Sequence, residues 1–512
     1  MEIGSFIINV LTTGMYPEPM DALREYVQNS YDAIRRAEKS GLLKQNFGRV
    51  RIIIDQERSE VAIWDNGIGI SAAEARSRLL DIGSSKKVLG DDAGFRGIGR
   101  LAGLAYADRV VFRTSACGEP LETVLTFDAA GIRRNISPSN QKPETAVQLV
   151  ERLTTLKQVE CPADSHFFEV KLVKVDRDAC PFLDIKPVTA YLRQVAPVDF
   201  DTHSFTYAIP YVNPHLEQFG ARRTIHLVVE VKGRDEDSIL KPYKTFLHAG
   251  NKRNNKVHIV GVEQFADAAT PPKWVGWICQ TKELLGVIGD EEVRGIRLRM
   301  NNLLIGDHST MSRIFEKLAK SNSRFNGYFA GEIHILHSDV VPNARRDYFE
   351  DTPTWRTVES ELKELARILG KRVRDNETAR NRPTSAVERD VDQTIDEVDE
   401  EAEEGFATEA HRERAVERLK AQEEKIDKAI TAPERTPEEK EALRLKKEEA
   451  ARKREEIEEK WKSLVDESSL NKEQRKVLRM VLEVVDKELG SANCKKVAAE
   501  VNKRLKRRKS KS

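Results

Sequence analysis

The chain is short of cysteines, aromatics, long apolar runs and net charge, and each shortage closes off a class of protein. Its five cysteines, Cys117, Cys161, Cys180, Cys279 and Cys494, form no CxxC pair. That spacing argues against a zinc site or a disulfide framework and for a reducing compartment. No run of 18 apolar residues occurs, so no transmembrane helix is expected. The opening stretch MEIGSFIINVLTTGMYPEP has neither the basic flank nor the small-residue cleavage site of a secretory leader. A cytoplasmic protein with no membrane partner is the expectation. Aromatics make up 6% and charged residues 33%, so some very polar segment accompanies the packed cores. The net charge of +1 excludes nothing, because blocks of opposite sign hide within it.

What is present divides into parts. At 512 residues the chain exceeds what one core supports, and two or three domains are expected. Residues 1–200 read as a first domain of α+β class: a helix over 21–41, a hairpin of RVRIIID and EVAIWD, and a helix over 72–83. A Gly, Ser and Lys-rich loop, further strands and a helix over 185–200 follow, a layered design of helices on mostly antiparallel strands. Residues 201–375 read as a second α+β domain. Residues 388–404 hold ten acids and one arginine, so 376–407 is expected to be a disordered acidic linker. Residues 408–512 read as charged helices, and the last 18 residues carry nine Lys/Arg against one Glu, a basic tail that could bind nucleic acid.

Three patterns carry chemistry. In DALREYVQNSYDAIRRAEKSG (21–41), winding at 100° per residue puts Asn29 and Asp32 within roughly 40° of Glu25, while Leu23, Val27 and Ile34 lie opposite. Alone, such a stripe is usually the wet side of a surface helix. In WDNGIG, Asp65 ends a strand and Gly67 and Gly69 follow. A carboxylate there, with glycines that let a ring approach the backbone, can accept a hydrogen bond from an exocyclic amine. In GFRGIGRLAGLAYAD, Gly94, Gly97 and Gly99, with Arg96 and Ile98 among them, precede a helix. Their N–H groups can cradle phosphate oxygens. The G-x-x-G-x-G spacing is neither a Walker A loop nor a Rossmann fingerprint.

An E-x-x-x-N-x-x-D-A helix, a D-x-G-x-G about 40 residues on and a G-x-x-G-x-G about 30 further together resemble the GHKL ATPases. That superfamily joins gyrase-type topoisomerases, the ninety-kilodalton heat-shock chaperones (HSP90), MutL, the MORC proteins and histidine kinases. The resemblance covers residues 4 to about 200 and implies a Bergerat α/β sandwich binding ATP and Mg²⁺. By it, Glu25 matches the acid that activates water, Asn29 the Mg²⁺ ligand and Asp32 a pocket residue acting through water. Asp65 matches the adenine-reading carboxylate, and Thr114 the hydroxyl assisting it. Residues 70–99 match the ATP lid, with Lys86 and Lys87 as candidate phosphate contacts.

Only about 20 residues precede the first helix and none is histidine, which speaks against the histidine-kinase branch. NNLLIGD followed by GEIHILHSDVVPNARRDYFED looks like the middle domain of the HSP90-type chaperones. There an arginine before an acid reaches back to the γ-phosphate; Arg346 matches best, with Arg345 the alternate. A fixed guanidinium fork suits that task. The resemblance fades after about 375. The expected function is an ATP hydrolase working as a homodimeric, ATP-gated clamp or chaperone-like machine on a protein client or nucleic acid. The alternatives are a nucleotide-gated scaffold with little hydrolysis, or a DNA-associated MutL/MORC-like ATPase.

Overall fold

The structure is a computed structural model and describes residues 4–10, 14–15, 18–81, 99–137, 144–249, 256–281, 286–432 and 435–509. It comprises two units, residues 1–370 and 371–512.

Unit 1 begins with α1 (Ile7–Asn9), α2 (Pro19–Lys39), β1 (Arg49–Asp55), β2 (Glu60–Asp65) and α3 (Ala72–Leu80). After a 3-10 turn over Gly99–Ala105 come β3 (Ala107–Ser115), β4 (Leu121–Asp128), α4 (Ala129–Ile136) and α5 (Ala146–Arg152). Next are β5 (Thr154–Glu160), β6 (Phe167–Val175), α6 (Ile185–Val195), α7 (Asn213–Gln218), β7 (His226–Val231) and β8 (Glu236–Ser238). The remainder holds β9 (Phe246–His248), β10 (Lys256–Ala266), β11 (Trp274–Thr281), β12 (Gly295–Met300), β13 (Leu303–Leu304), α8 (Ser309–Glu316) and β14 (Ala330–Ile335). The helix α9 (Pro353–Asn381) follows.

Two sheets result, one ordered β5-β4-β3-β6-β2-β1-β7-β8 and one β13-β12-β14-β11-β10-β9. The β1–β2 hairpin pairs Val50 with Asp65 and Ile54 with Val61. Strand alternation turns Val50, Ile52 and Ile54 of β1 and Val61 and Ile63 of β2 into the core. The same period carries Asp65 inward, which is why a carboxylate ends up at 1% exposure. This is the α/β sandwich of the GHKL type that the motifs implied.

The first sheet does not stop at the expected boundary of residue 200. Strand β7 lies parallel to β1, with Arg49 opposite His226 and Ile54 opposite Val231, and β8 pairs with β7. Without β7 the N–H and C=O groups along one edge of β1 would have no ladder partner. The HLVVEV segment also supplies Leu227, Val229 and Val231 to the first core.

The second sheet surrounds Phe200, Phe205, Tyr243 and Trp277, whose ring centroids lie 5.0–5.8 Å apart. Beside them the fully buried Glu332 accepts from Lys241 Nζ (2.7 Å) and Arg299 Nε (2.6 Å). Arg299 Nη2 also donates to the Gln194 carbonyl at 2.7 Å. These bonds fasten the second sheet to the end of α6.

Unit 2 contains α10 (Thr384–Glu404), α11 (Glu409–Ile430), α12 (Pro437–Glu459), α13 (Lys472–Leu489) and α14 (Ser491–Lys509). The acidic stretch expected to be disordered is therefore the helix α10. Val387, Val391, Ile395 and Val398 recur at helical spacing and are buried with Leu419 and Ile426 of α11 and Leu443 and Ile457 of α12. Its acids are met by bases on those helices: Asp392 by Lys446 (2.6 Å), Asp399 by Lys453, and Glu401 by Arg418 (2.5 Å). An apolar stripe plus opposite charge outweighs the self-repulsion that counting acids alone suggests. The basic tail reaches Lys509 as part of α14.

Candidate active site

The site is built around α2, which is buried on nearly every side. Leu23, Val27 and Ile34 face the core as the periodicity predicts. The polar face is also covered: Glu25 and Asp32 are buried, and only Asn29 is half-exposed.

Glu25 meets two partners from distant parts of the chain. A Cβ at Gly99 would lie 2.3 Å from Glu25 Oε2, so any side chain there would push the carboxylate aside. From the other side Arg346 Nε approaches Glu25 Oε1 at 3.3 Å, both side chains being about nine-tenths buried. Arg346 sits in a tight turn with a left-handed φ of 57°, a conformation costing a non-glycine residue about 1–2 kcal/mol. Reciprocal bonds hold the turn: Asn343 Nδ2 donates to Asp347 Oδ1 (2.6 Å) and Asp347 N to Asn343 Oδ1 (3.2 Å). Gly306 N donates to the Arg346 carbonyl at 2.6 Å.

Arg345 contributes its main chain. Arg24 Nη2 donates to the Arg345 carbonyl at 3.0 Å. Arg24 also pairs with Asp21 at 3.2 Å, and Asp21 accepts from the Tyr191 hydroxyl of α6 at 3.0 Å. This relay sets the arginine turn against α2.

The second half of the site lies where β2 ends. Asp65 Oδ1 accepts from Gly67 N at 2.9 Å. Burial pushes its carboxyl up to about 7, although bonds from Gly67 N and the Ser30 hydroxyl pull the other way. A Cβ at Gly67 would strike Ala33 and Asp65 at 2.6–2.7 Å. At Gly69, φ is +68° and a Cβ would fall 1.9 Å from the Ser115 carbonyl. Thr114, fully buried, accepts from Ile70 N and donates to the Phe167 carbonyl, both at 2.9 Å. The loop is tied back to α2 by Ile68 N donating to the Ala33 carbonyl at 3.1 Å.

Two clusters thus share one helix: Glu25 with Gly99 and Arg346, and Asp65 with Gly67, Gly69 and Thr114. Lys86, Lys87, Gly94, Arg96, Gly97 and Ile98 lie outside the described residues. The flanks of that segment are described. Arg100 Nε donates to the Leu79 carbonyl at 3.0 Å, and the Tyr26 hydroxyl donates to the Arg100 carbonyl (3.1 Å) and accepts from Gly103 N (2.8 Å).

The residues present fit a purine nucleotide and a hard divalent cation. A buried carboxylate held by one amide and one hydroxyl, with no ion-pair partner among the described residues, retains acceptor capacity for an amine. Two glycines without room for a side chain leave a backbone that a flat ring can approach. Among the described residues no three His, Cys, Asp or Glu side chains converge as a metal cage. An amide oxygen such as that of Asn29 is a one-ligand contribution of the kind Mg²⁺ accepts when phosphates complete its shell.

Arg24, Asp21, Tyr191, Ser30, Tyr26 and Arg100 are site residues that sequence reasoning missed. Ser30 carried the one available signal, a hydroxyl on α2 close after the Glu25–Asn29 pair.

Residues 17–158 match the family described as histidine kinase-, DNA gyrase B- and HSP90-like ATPase. The chaperone protein HtpG of Shewanella pealeana is 30% identical over 143 residues, covering 24% of this chain and 22% of that relative. HtpG of Acinetobacter baylyi is 30% identical with the same coverage. HtpG of Yersinia pestis is 28% identical, over 24% of this chain and 23% of its own length. The chain therefore matches less than a quarter of the length of these relatives. Residues 17–158 are thus a GHKL-type ATPase module, similar to that of the HSP90-like branch.

Proposed function

We propose that the chain binds ATP between α2, the end of β2 and the 82–99 segment, and hydrolyses it. The observation that carries this reading is the meeting of Glu25 and Arg346, side chains 321 positions apart, with the Glu25 carboxylate close against Gly99. Asp65 accepts the amine of adenine, and Thr114 keeps the Gly69–Ile70 backbone in place against the base. Glu25 orients and deprotonates the attacking water, and Asp32 supports the pocket through water. Phosphoryl transfer asks for little more from a protein than alignment and charge neutralisation. Mg²⁺, when bound, would neutralise phosphate charge, and Asn29 is the residue that would hold it. The guanidinium of Arg346 neutralises the γ-phosphate from the opposite side. Lys86 and the glycines at 94, 97 and 99 are the proposed phosphate cradle, with Arg96 and Ile98 between them.

In this structure Arg346 is paired with Glu25, so base and cation neutralise each other. ATP competes for the guanidinium and frees the carboxylate, which couples hydrolysis to nucleotide binding. The proposed output is a cytoplasmic, homodimeric, ATP-gated clamp acting on a protein client or nucleic acid. The likeness of the first module to chaperones supports the former. Among the described residues no helix is long and apolar enough to cross a membrane.

The same ion pair favours one second reading, a nucleotide-gated scaffold that rarely turns over because Glu25 stays engaged. Steady-state turnover with Mg²⁺ and ATP separates the two. Glu25→Ala should retain nucleotide binding and lose hydrolysis, Asp65→Asn should lose binding, and Arg346→Ala should lower kcat by about 100-fold or more at similar affinity. Normal turnover in Glu25→Ala would sink the mechanism.

A further inference from the structure

Inward-facing residues cross the first sheet in rows that lead to the site. Val170 of β6 is paired with Ile63 of β2 on one side and Phe112 of β3 on the other, and all three are buried. Two residues on, Phe168 is paired with Asp65 and Thr114 in the same way. Strand alternation keeps this second row on the same face as the first. One step further, the register brings His166 opposite Gly67. A bond marks that step: His166 Nδ1 lies 2.9 Å from the Gly67 carbonyl oxygen. His166 therefore continues the face that carries Asp65 and stands at the loop whose glycines leave room for a flat ring.

Gly67 is bonded at both of its polar groups. Its N–H donates to Asp65 Oδ1 at 2.9 Å and its carbonyl accepts from His166. One residue thus sets the spacing between the carboxylate and the imidazole. The second bond also fixes the chemistry of the ring. A carbonyl oxygen only accepts, so Nδ1 carries the proton, and in a neutral imidazole Nε2 is then an acceptor. The ring is half-buried, and Nε2 meets no hydrogen-bond partner among the described residues. Holding the loop is a task that Nδ1 completes alone, and the second nitrogen is left for something else.

We infer that His166 reads the nucleobase together with Asp65 and selects adenine over the oxo-purines hypoxanthine and guanine. The exocyclic amine of adenine has two hydrogens, one for the Asp65 carboxylate and one for His166 Nε2. In an oxo-purine a carbonyl replaces the amine, and the adjacent ring nitrogen gains a hydrogen. That hydrogen still serves Asp65, but the carbonyl meets Nε2 as acceptor against acceptor. Asp65 alone therefore accommodates both kinds of base, and His166 is the contact that separates them. An acceptor left unpaired in this way lowers affinity by about 10-fold.

The inference rests on the nucleotide reading above and adds what discriminates the base. Calorimetric titration of the full chain with ADP and with inosine diphosphate, both with Mg²⁺, tests it. The two ligands carry the same phosphates and differ only in the base. Wild type should bind ADP about 10-fold more tightly than inosine diphosphate. In His166→Asn the side-chain amide ends where Nδ1 was, so the bond to Gly67 is kept and Nε2 is lost. That variant should bind the two ligands within about threefold of each other, with unchanged melting in the absence of nucleotide. A wild type that binds both ligands equally overturns the inference and leaves nucleotide binding standing. So does a His166→Asn protein with the wild-type preference, or one that loses affinity for both ligands alike, which is the result expected of a loop-holding role. A wild type that binds neither ligand overturns the nucleotide reading and this inference with it.

Discussion

Replacing Gly99 by alanine tests the placement of Glu25 with a single methyl group. The new Cβ would lie 2.3 Å from Glu25 Oε2 and 3.2 Å from its Cδ. An ordinary carbon–oxygen contact is about 3.4 Å, so one group must retreat by roughly 1 Å. The turn resists, because the Tyr26 hydroxyl bonds both the Arg100 carbonyl and Gly103 N, and Arg100 is anchored to the Leu79 carbonyl. The carboxylate therefore moves. An error of 1 Å in an attacking geometry costs about 100-fold in rate, or about 2.7 kcal/mol of barrier. Asp65 and Thr114 lie on β2 and β3 and are not displaced, so the adenine end should bind as before. The expected result is a kcat about 100-fold lower with a nucleotide Kd within about threefold of wild type. Gly118→Ala is the control: φ there is +92° but nothing lies within 4 Å of the new Cβ, so backbone strain is introduced without touching the site. Wild-type kcat in Gly99→Ala would refute the role given to Glu25. Loss of affinity matching the loss of rate would refute the separation into a base cluster and an adenine cluster.

Asp65 gives a proton signature. Its folded carboxyl is raised from 3.8 to about 7 by burial, so its stabilising contribution is complete below pH 4 and is lost as pH rises through 7. An adenine amine favours the ionised form, and nucleotide binding at pH 7 should release up to about half a proton. Calorimetry in buffers of different ionisation enthalpy reads this, and proton uptake or no transfer would contradict an amine-accepting carboxylate. Lys241→Met leaves Glu332 and Arg299 buried with one cation fewer; denaturant unfolding should show a loss of about 3–5 kcal/mol. Val391→Asp places a charge in the fully buried stripe of α10 and should cost unit 2 much of its helical circular dichroism. A Val391→Asp protein with intact helicity and melting would restore the linker reading of residues 376–407.

How much was legible depended on whether a residue's partner was close in sequence. Glu25, Asn29 and Asp32 share one helix period, and Asp65 shares the inward alternation of Val61 and Ile63, so both patterns could be read from a dozen residues. Arg346 was found through resemblance, not periodicity, since its partner is 321 positions away. Asp21, Arg24 and Tyr191 gave no local signal for the same reason: Asp21 and Tyr191 are 170 positions apart. The β1–β7 pairing was missed because β-branched runs show that strands exist, not which edge they join. Segment 388–404 was misread because ten acids dominate its composition, whereas the three residues Val391, Ile395 and Val398 at helical spacing decide its structure.

The burial of α2 explains why these clusters keep a common geometry. A helix covered on most of its surface is normally apolar over that surface, yet this one buries Arg24, Glu25, Gln28, Ser30 and Asp32. Polar groups so placed are tolerable when partners meet them; the Gln28 amide meets none among the described residues, and the partners of the others come from several neighbouring parts of unit 1. Asp21 and Arg24 reach α6 and the arginine turn, Glu25 reaches Gly99 and Arg346, and Ser30 and Ala33 reach the Asp65 loop. One rigid rod therefore sets the distance between the Asp65 cluster and the Glu25–Arg346 cluster. The turn bearing Arg346 is the strained member, since φ of 57° would suit glycine better. What the fold retains in exchange for about 1–2 kcal/mol of strain is a guanidinium against Glu25. Such strain persists where the surroundings over-determine the backbone, and Asn343, Asp347, Gly306 and Arg24 all bond this one turn. Movement of that turn as a single body, rather than rotation of the arginine side chain alone, is the motion this bonding pattern permits.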